Sequence, residues 1–106
     1  MSRTALNAVR TTPVDGRQTV TTGGTAVALS STSVPVLQVD ITALIANTGI
    51  ITVGASTVVA SAGTRRGIPL NAGDTYTAYN VDLSNIYLDA TVNGEGVSFA
   101  YIRGGT

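Results

Sequence analysis

β-Branched residues are the strongest constraint on how this chain can fold. Its 106 residues include seventeen threonines and thirteen valines, whose stiff side chains favour strands over helices. From Gly16 onward these residues occur in short runs separated by glycine, proline and asparagine, which are the residues that mark turns. The pattern predicts an all-β domain, either an antiparallel β-sandwich or a small β-barrel.

The runs and the turns between them divide the chain into eight predicted strands. These strands cover residues 18–22, 25–30, 34–43, 50–54, 56–60, 75–80, 86–92 and 97–103. Between the first two strands, Gly23-Gly24 has the composition of a two-residue hairpin turn. Between the last two, residues 93–96 (NGEG) have the composition of a four-residue hairpin loop.

Alternation of side chains predicts the buried face of two long strands, because residues on one face recur at every second position. In VPVLQVDITA (34–43) one alternating set is consistently apolar, and in VSFAYIR (97–103) one set carries the large rings. The predicted core-facing residues are therefore Leu37, Val39, Ile41, Ala43, Val97, Phe99 and Tyr101.

GIPLNAGD (67–74) is predicted to be a turn at the edge of a sheet. Pro69 has no N–H to donate to a central strand ladder, so the segment belongs at an edge. Leu70 is the apolar side chain that can plug the core at this point. Gly73 can adopt the positive φ that a tight turn over residues 71–74 requires.

VDLSNIY (81–87) is predicted to be a second structural turn. Asp82 and Ser84 are residue types that cap short helical turns through hydrogen bonds from the backbone to their side chains. Leu83 and Ile86 are three residues apart, so one such turn would direct both toward the core. Tyr87 would then begin the next strand.

Residues 1–16 differ in composition from the rest of the chain and are predicted to form an N-terminal arm, with residues 17–106 as the β domain. The stretch PVDG at the end of the arm has the composition of a turn. Leu6 and Val9 are three residues apart and fit a helical turn, and an extended arm fits equally well.

Arginines are the main candidates for contact with a partner. Arg3, Arg10 and Arg17 recur at intervals of seven residues, which we interpret as an arm that docks on another subunit; the alternative is an arm that packs on its own sheet. Arg65-Arg66 precede GIPLNAGD on a loop, where guanidinium groups can bind a partner carboxylate in a bidentate manner. The candidate interface residues are Arg3, Leu6, Val9, Arg10, Arg17, Arg65 and Arg66.

The side-chain inventory argues against catalysis. The chain has no cysteine, no histidine and no lysine, so it lacks a thiol and the common bases that activate a serine or threonine nucleophile. The carboxylates that could work in pairs or bind a hard cation are scattered singly. They are Asp40, Asp74, Asp82, Asp89 and Glu95. We therefore expect no enzymatic activity, no cofactor and no metal site.

Charge is scarce in this chain. Charged residues make up 11% of it, with six arginines balanced by six acids, whereas an ordinary soluble domain carries about 25%. A net charge of zero does not suggest a nucleic-acid partner, and no segment approaches the ~20 apolar residues of a membrane span. Scarce charge favours association, and interface cores accept arginine better than lysine. We expect a surface largely buried in an assembly; the alternative is a surface kept soluble by threonine and serine hydroxyls.

From Ala46 to Arg103 the turns and strands follow a recognisable order. The order is ANTG, ITVG, a short variable strand, GIPLNAGD, VDLSNIY and NGEGVSFAY. In this order and spacing the chain resembles small β-domain proteins of tailed-bacteriophage virions, of the head-decoration (cement), head-fibre or tail-associated kind. The resemblance covers just over half of the chain. It implies a virion structural protein built as a β-sandwich or barrel, and it carries over no catalytic residues.

Two hypotheses of function follow. In the first, the chain is a capsid decoration protein on the outer surface of a phage head, where it contacts the major capsid protein and other copies of itself as a dimer or trimer. Bridging between neighbouring capsid subunits would then stabilise the shell. In the second, it is a tail or fibre module that recognises a host-surface glycan or protein. The second hypothesis predicts an exposed aromatic cluster, for instance Tyr76 and Tyr79.

Overall fold

Two four-stranded antiparallel sheets form the protein, as a computed structural model describes it over residues 12–103. The strands are β1 (Val14–Thr19), β2 (Val27–Ala28), β3 (Pro35–Ala43), β4 (Ile51–Gly54), β5 (Ile68–Leu70), β6 (Thr75–Asp82), β7 (Tyr87–Ala90) and β8 (Gly96–Arg103). Two short 3₁₀ turns, Ala62–Thr64 and Leu83–Asn85, are the helical elements of this range. The predicted all-β sandwich is confirmed.

The strand order defines the topology. One sheet, called sheet A, has the order β1-β8-β3-β6, and the other, sheet B, has the order β2-β7-β4-β5. Every connection except that from β4 to β5 crosses from one sheet to the other. This order is that of an eight-stranded jelly roll, in which two Greek keys wrap around a common core.

Aliphatic side chains fill the space between the sheets. The largest fully buried apolar side chains are Val20, Val39, Ile41, Ile51, Val53, Leu83, Leu88 and Val97. The predicted inward face of β8 is confirmed, since Val97 is buried and Phe99 and Tyr101 pack against the core with their rings stacked at 6.1 Å. Tyr76 also packs against the core from β6. These three aromatic residues are thus partly buried and pack against an aliphatic core.

The two predicted hairpins were wrong. The strands on either side of Gly23-Gly24 lie in different sheets, and so do the strands on either side of residues 93–96. β1 pairs with β8 along its whole length, and β7 pairs with β2 and β4. Both segments are therefore arches that span the distance of about 10 Å between packed sheets.

The predicted face of β3 was wrong at Leu37. This side chain is 47% exposed, whereas its neighbour Val36 is buried. The pairing of β3 with β8 shifts register between Val36 and Gln38, which marks a β-bulge with one extra residue on β3. The extra residue reverses the alternation on its N-terminal side. Val39, Ile41 and Ala43 beyond the bulge are buried as predicted.

The turn predicted from GIPLNAGD is confirmed, although part of it also forms a strand. Ile68–Leu70 is β5, the edge strand of sheet B, so Pro69 lies at an edge as predicted. Leu70 is buried, and Gly73 has a φ of +86° in the turn that follows. The predicted strand over residues 56–60 was wrong, because this segment makes an isolated bridge from Val59 to Arg66 instead.

The second predicted turn, VDLSNIY, is confirmed in detail. The Asp82 side chain accepts a hydrogen bond from the Ser84 N–H and caps the 3₁₀ turn Leu83–Asn85. Leu83 and Ile86 are both buried, and Tyr87 begins β7. A short polar cap followed by two apolar residues was thus enough to specify this local structure.

The first strand begins earlier in the chain than predicted. Residues 14–16 belong to β1 and pair with β8, so the predicted turn at PVDG was wrong. The β-branched Val14 opposite Tyr101 extends the strand through a sequence that is turn-like in isolation. Residues 1–11 and 104–106 lie outside the described residues, and with them most of the predicted arm.

Gly96 allows β8 to approach the end of β1 very closely. A Cβ added at Gly96 would lie 2.1 Å from the carbonyl oxygen of Gln18 and 2.7 Å from the Cα of Thr19. Both neighbours are backbone atoms, which cannot move aside by changing a rotamer. Gly63, by contrast, has open space around the same position.

We therefore expect Gly96→Ala to lower the free energy of unfolding by about 2–3 kcal/mol through overpacking. Gly63→Ala, the matched control, should change it by less than about 0.5 kcal/mol. Urea denaturation followed by circular dichroism measures both values. Equal stability of the two variants would contradict the close approach at Gly96.

Candidate interaction surfaces

The two central strands of sheet B, β4 and β7, are buried on both faces, although the sandwich has only two sheets. The segment of residues 55–67, called here the cover segment, folds over the outer face of sheet B. Val58 and Ala60 of this segment are buried. On the strands beneath, Thr52 and Asp89 face each other across β4 and β7 and are also buried. The cover segment thus buries the outer face of the central strands β4 and β7.

Asp89 fixes the cover segment. Its Oδ2 accepts a hydrogen bond of 2.8 Å from the Ala60 N–H, and its Oδ1 accepts one of 2.8 Å from the Gly24 N–H. One carboxylate on β7 therefore holds two separate loops. Together with Val59 and neighbouring residues it borders a shallow pocket of about 300 Å³. Because both carboxylate oxygens are engaged within the chain, we interpret Asp89 as a structural residue.

The two adjacent arginines of the cover segment have different environments. Arg65 is half-buried, and its Nε donates a hydrogen bond of 3.0 Å to the Ala60 carbonyl. Arg66 pairs with Val59 through its backbone, while its side chain is exposed. Arg66 is therefore available to a partner, whereas Arg65 also stabilises its own loop.

Arg17 is exposed on β1 in sheet A, away from the arginines of the cover segment on sheet B. The structure does not bring these three predicted interface residues together into one site. The other candidates, Arg3, Leu6, Val9 and Arg10, lie outside the described residues. Their role as partner contacts stays a prediction.

Side chains also hold the arches at one end of the sandwich. Glu95 accepts hydrogen bonds from the Thr48 N–H (2.7 Å), the Thr48 hydroxyl (2.9 Å) and the Gly49 N–H (2.9 Å). The bonds from these two backbone N–H groups lower the pKa of Glu95. Asn47 donates a further bond of 2.9 Å to the Gly96 carbonyl. The turns ANTG and NGEG, separate in the sequence, thus form one hydrogen-bonded unit.

Asp82 holds loops together at the opposite end of the sandwich, as Glu95 does at the first. It accepts hydrogen bonds from the hydroxyl of Ser33, from both the N–H and the hydroxyl of Ser84, and from the Val34 N–H. The Ser33 hydroxyl contributes most to a pKa well below the usual range of an aspartate, followed by the bonds from Ser84 and Val34. Asp82 therefore joins the β2–β3 connection to the turn after β6.

Large exposed apolar side chains are few among the described residues. They are Leu37, Ile45, Ile68, Tyr79 and Val92. Ile45 is the most exposed, at 81%, and lies at the tip of the loop that Glu95 holds. Tyr79 is 62% exposed, but Tyr76 packs against the core, so the aromatic cluster expected for these two tyrosines does not form. Their odd spacing on one strand sends them to opposite faces.

Within residues 12–103, no three His, Cys, Asp or Glu side chains lie together in a way that could hold a metal ion. No helix of that range is long and apolar enough to cross a membrane.

No family model matches the chain, and searches among curated proteins and solved structures found no significant match.

Removal of the Asp89 carboxylate should destabilise the protein. Asp89→Ala leaves the N–H groups of Gly24 and Ala60 without their acceptor, and we expect a loss of about 3 kcal/mol in the free energy of unfolding. Asp89→Asn keeps one carbonyl acceptor and should lose about half as much. Urea denaturation measures both, and an Asp89→Ala variant within about 0.5 kcal/mol of the parent would contradict the structural role.

Stability should also fall in acid because of Asp82 and Glu95. Both have a lower pKa in the folded state than when unfolded, so the unfolded chain binds protons more readily. Their contribution is fully present above about pH 5 and is lost progressively as pH falls through about 4 and below. The melting temperature, measured from pH 7 to pH 2, should therefore drop less in Asp82→Asn/Glu95→Gln than in the parent. Equal drops would contradict this interpretation.

Proposed function

We propose that this chain is a structural protein of a tailed-phage virion, which binds the outside of the head and bridges neighbouring capsid subunits. The observation that carries the proposal is the strand order β1-β8-β3-β6 and β2-β7-β4-β5. This jelly-roll architecture is used by viral capsid domains and by lectin domains. Because a fold does not by itself determine function, the proposal also draws on the surface of the molecule.

The surface supports burial in an assembly. Charge is scarce, and five of the six acids accept hydrogen bonds within the chain instead of serving only to keep the surface solvated. These five are Asp40, Asp74, Asp82, Asp89 and Glu95. A surface with so little free charge has a low desolvation cost when it is covered by a partner.

The mechanism that we propose is mechanical. Loops held by Asp82, Asp89 and Glu95 would lose little conformational freedom on binding, so less of the contact energy is spent on ordering them. Several modest contacts per copy, repeated over a shell, give high avidity when the geometry allows simultaneous engagement. The contacts would be to the major capsid protein and to other copies of this chain. No catalytic residue and no cofactor enters the mechanism.

The proposed contact residues fall into two groups. Arm residues Arg3, Leu6, Val9 and Arg10 would reach onto neighbouring subunits. Arg17 and the exposed side chain of Arg66 would add contacts from the β domain, with Arg65 in a supporting position through its bond to Ala60.

Recognition of a host-surface glycan or protein is the alternative, because lectin domains share this architecture. Such sites commonly use exposed aromatic rings. Tyr79 is the one exposed tyrosine, and Tyr76, Tyr87 and Tyr101 are all half-buried. The surface therefore favours the shell protein over the recognition module.

Copy number in purified virions tests the proposal. Quantitative mass spectrometry of the particles should find hundreds of copies of this chain, in a simple ratio to the major capsid protein. A few to a few tens of copies would point to the tail or a fibre and favour the alternative. Absence from the particles would overturn both.

Charge reversal in the arm tests the proposed mode of binding. The full-length Arg3→Glu/Arg10→Glu variant should bind isolated phage heads at least about tenfold more weakly, because the loss at each copy is multiplied across cooperative contacts. Arg103→Glu, an exposed arginine to which we assign no contact, is the control. An arm variant that binds phage heads as tightly as Arg103→Glu would contradict the docking role of the arm.

A further inference from the structure

Among residues 12–103, the unpaired edges of the two sheets differ in their capacity to pair with another strand. β2 has two residues, and β5 contains Pro69, which cannot donate a hydrogen bond. β6 is interrupted by Asn80, which has a positive φ of 51°. β1 is a regular six-residue strand with no such interruption. Among the four edges, β1 is therefore the best template for an added strand.

The direction of the backbone groups on β1 follows from its pairing with β8. Val20 continues this ladder, since its N–H donates to the Glu95 carbonyl at 2.8 Å. Hydrogen-bonded residues alternate along an antiparallel strand, so Gln18, Gly16 and Val14 also face β8. The N–H and C=O groups of Asp15 and Arg17 consequently point away from sheet A at its free edge.

The side chains of Asp15 and Arg17 lie on the outer face of sheet A, and both are exposed. Asp15 is the one acid of the chain that accepts no hydrogen bond among the described residues, in contrast to the other five acids. Between the two charges lies Gly16, where an added Cβ would come within 2.5 Å of the Phe99 ring. Gly16 carries no side chain, so one charge of each sign flanks an unobstructed backbone position at the centre of the edge.

This edge is complementary to itself. If a second copy lies antiparallel with its Gly16 opposite Gly16, Asp15 faces Arg17 of the second copy, and Arg17 faces its Asp15. The same register joins the free backbone groups of these residues in hydrogen-bonded pairs. A shift of one residue puts the backbone groups out of phase. A shift of two places like charges opposite each other, which is unfavourable.

We propose that two copies of the chain pair through β1 around Gly16 and form one continuous sheet across a two-fold dimer. The contact uses the same patch on both copies, so it closes at two and does not propagate. The hydrogen bonds supply the pairing, and the two Asp15–Arg17 pairs fix the register. The pairing is a property of the chain in solution, so its test is independent of binding to a phage head.

Charge exchange tests the interface. Sedimentation equilibrium of the full-length chain should show a monomer–dimer equilibrium. Asp15→Arg and Arg17→Asp each create two like-charge pairs and should raise the dissociation constant by at least about tenfold. The double variant Asp15→Arg/Arg17→Asp restores opposite charges and should return to within about threefold of the parent. Asp40→Arg, the same charge change on the same sheet face, should leave dimerisation unchanged.

Several outcomes would overturn the proposal. A parent chain that stays monomeric shows that the edge is unused or is covered by residues 1–11 of the same chain. A trimer, or a double variant no better than the single ones, shows association through another surface. All variants change exposed residues and should keep the circular dichroism and melting temperature of the parent, which separates loss of pairing from loss of fold.

Cysteine cross-linking tests the register directly, because the chain has no cysteine of its own. A mixture of Asp15→Cys and Arg17→Cys chains places the two thiols directly opposite each other, with Cα atoms about 5.5 Å apart, within the range for a disulfide. It also keeps one Asp15–Arg17 pair. In either variant alone the thiols are diagonal neighbours, about 7–8 Å apart. The mixture should therefore oxidise to covalent dimers faster than either variant alone; equal rates would contradict this register.

Discussion

The carboxylate of Asp89 is the interaction on which the outer layer of this protein depends. It lies on a central strand of sheet B, pointing away from the aliphatic core, and accepts the N–H groups of Gly24 and Ala60. A buried carboxylate is unfavourable unless it is hydrogen-bonded. Here the two loops that satisfy it also shield it from water. Among residues 12–103, the sandwich thereby gains a partial third layer over sheet B, whereas no segment of that range covers the outer face of sheet A.

The remaining acids follow the same principle. Asp82 and Glu95 each collect backbone N–H groups from segments distant in the sequence, and Asp74 closes its own turn by accepting from Asn71. Acidic residues in this chain thus serve chiefly to organise loops. This use explains why a chain with few charged residues still places most of its acids at turns. It also singles out Asp15, whose carboxylate organises nothing in the described structure.

The structure of individual turns could be predicted from the sequence, whereas the pairing of strands distant in the sequence could not. The turns at Gly73 and Asp82 were correct because the residues within each turn determine it. The hairpins at Gly23-Gly24 and residues 93–96 were wrong because the same turn residues serve equally well in arches, and the choice depends on partners far along the chain. The predicted face of Leu37 was wrong because of a β-bulge, which is recognised only from the pairing of β3 with β8. Of the candidate contacts, Arg17 and Arg66 are exposed and their contact with a partner stays a prediction, whereas the bond from Arg65 to Ala60 requires the folded cover segment.

The position of β8 has a consequence for how the protein is made. This last strand lies between β1 and β3, two of the strands that are synthesised first. Sheet A therefore cannot close until β8 has been synthesised and has left the ribosome. Folds dominated by such distant pairings form slowly, since loop-closure entropy must be overcome before the contacts stabilise the chain. Among the described residues β1 pairs with β8, so until β8 has been synthesised β1 stays unpaired and the nascent chain is open to mispairing through this strand.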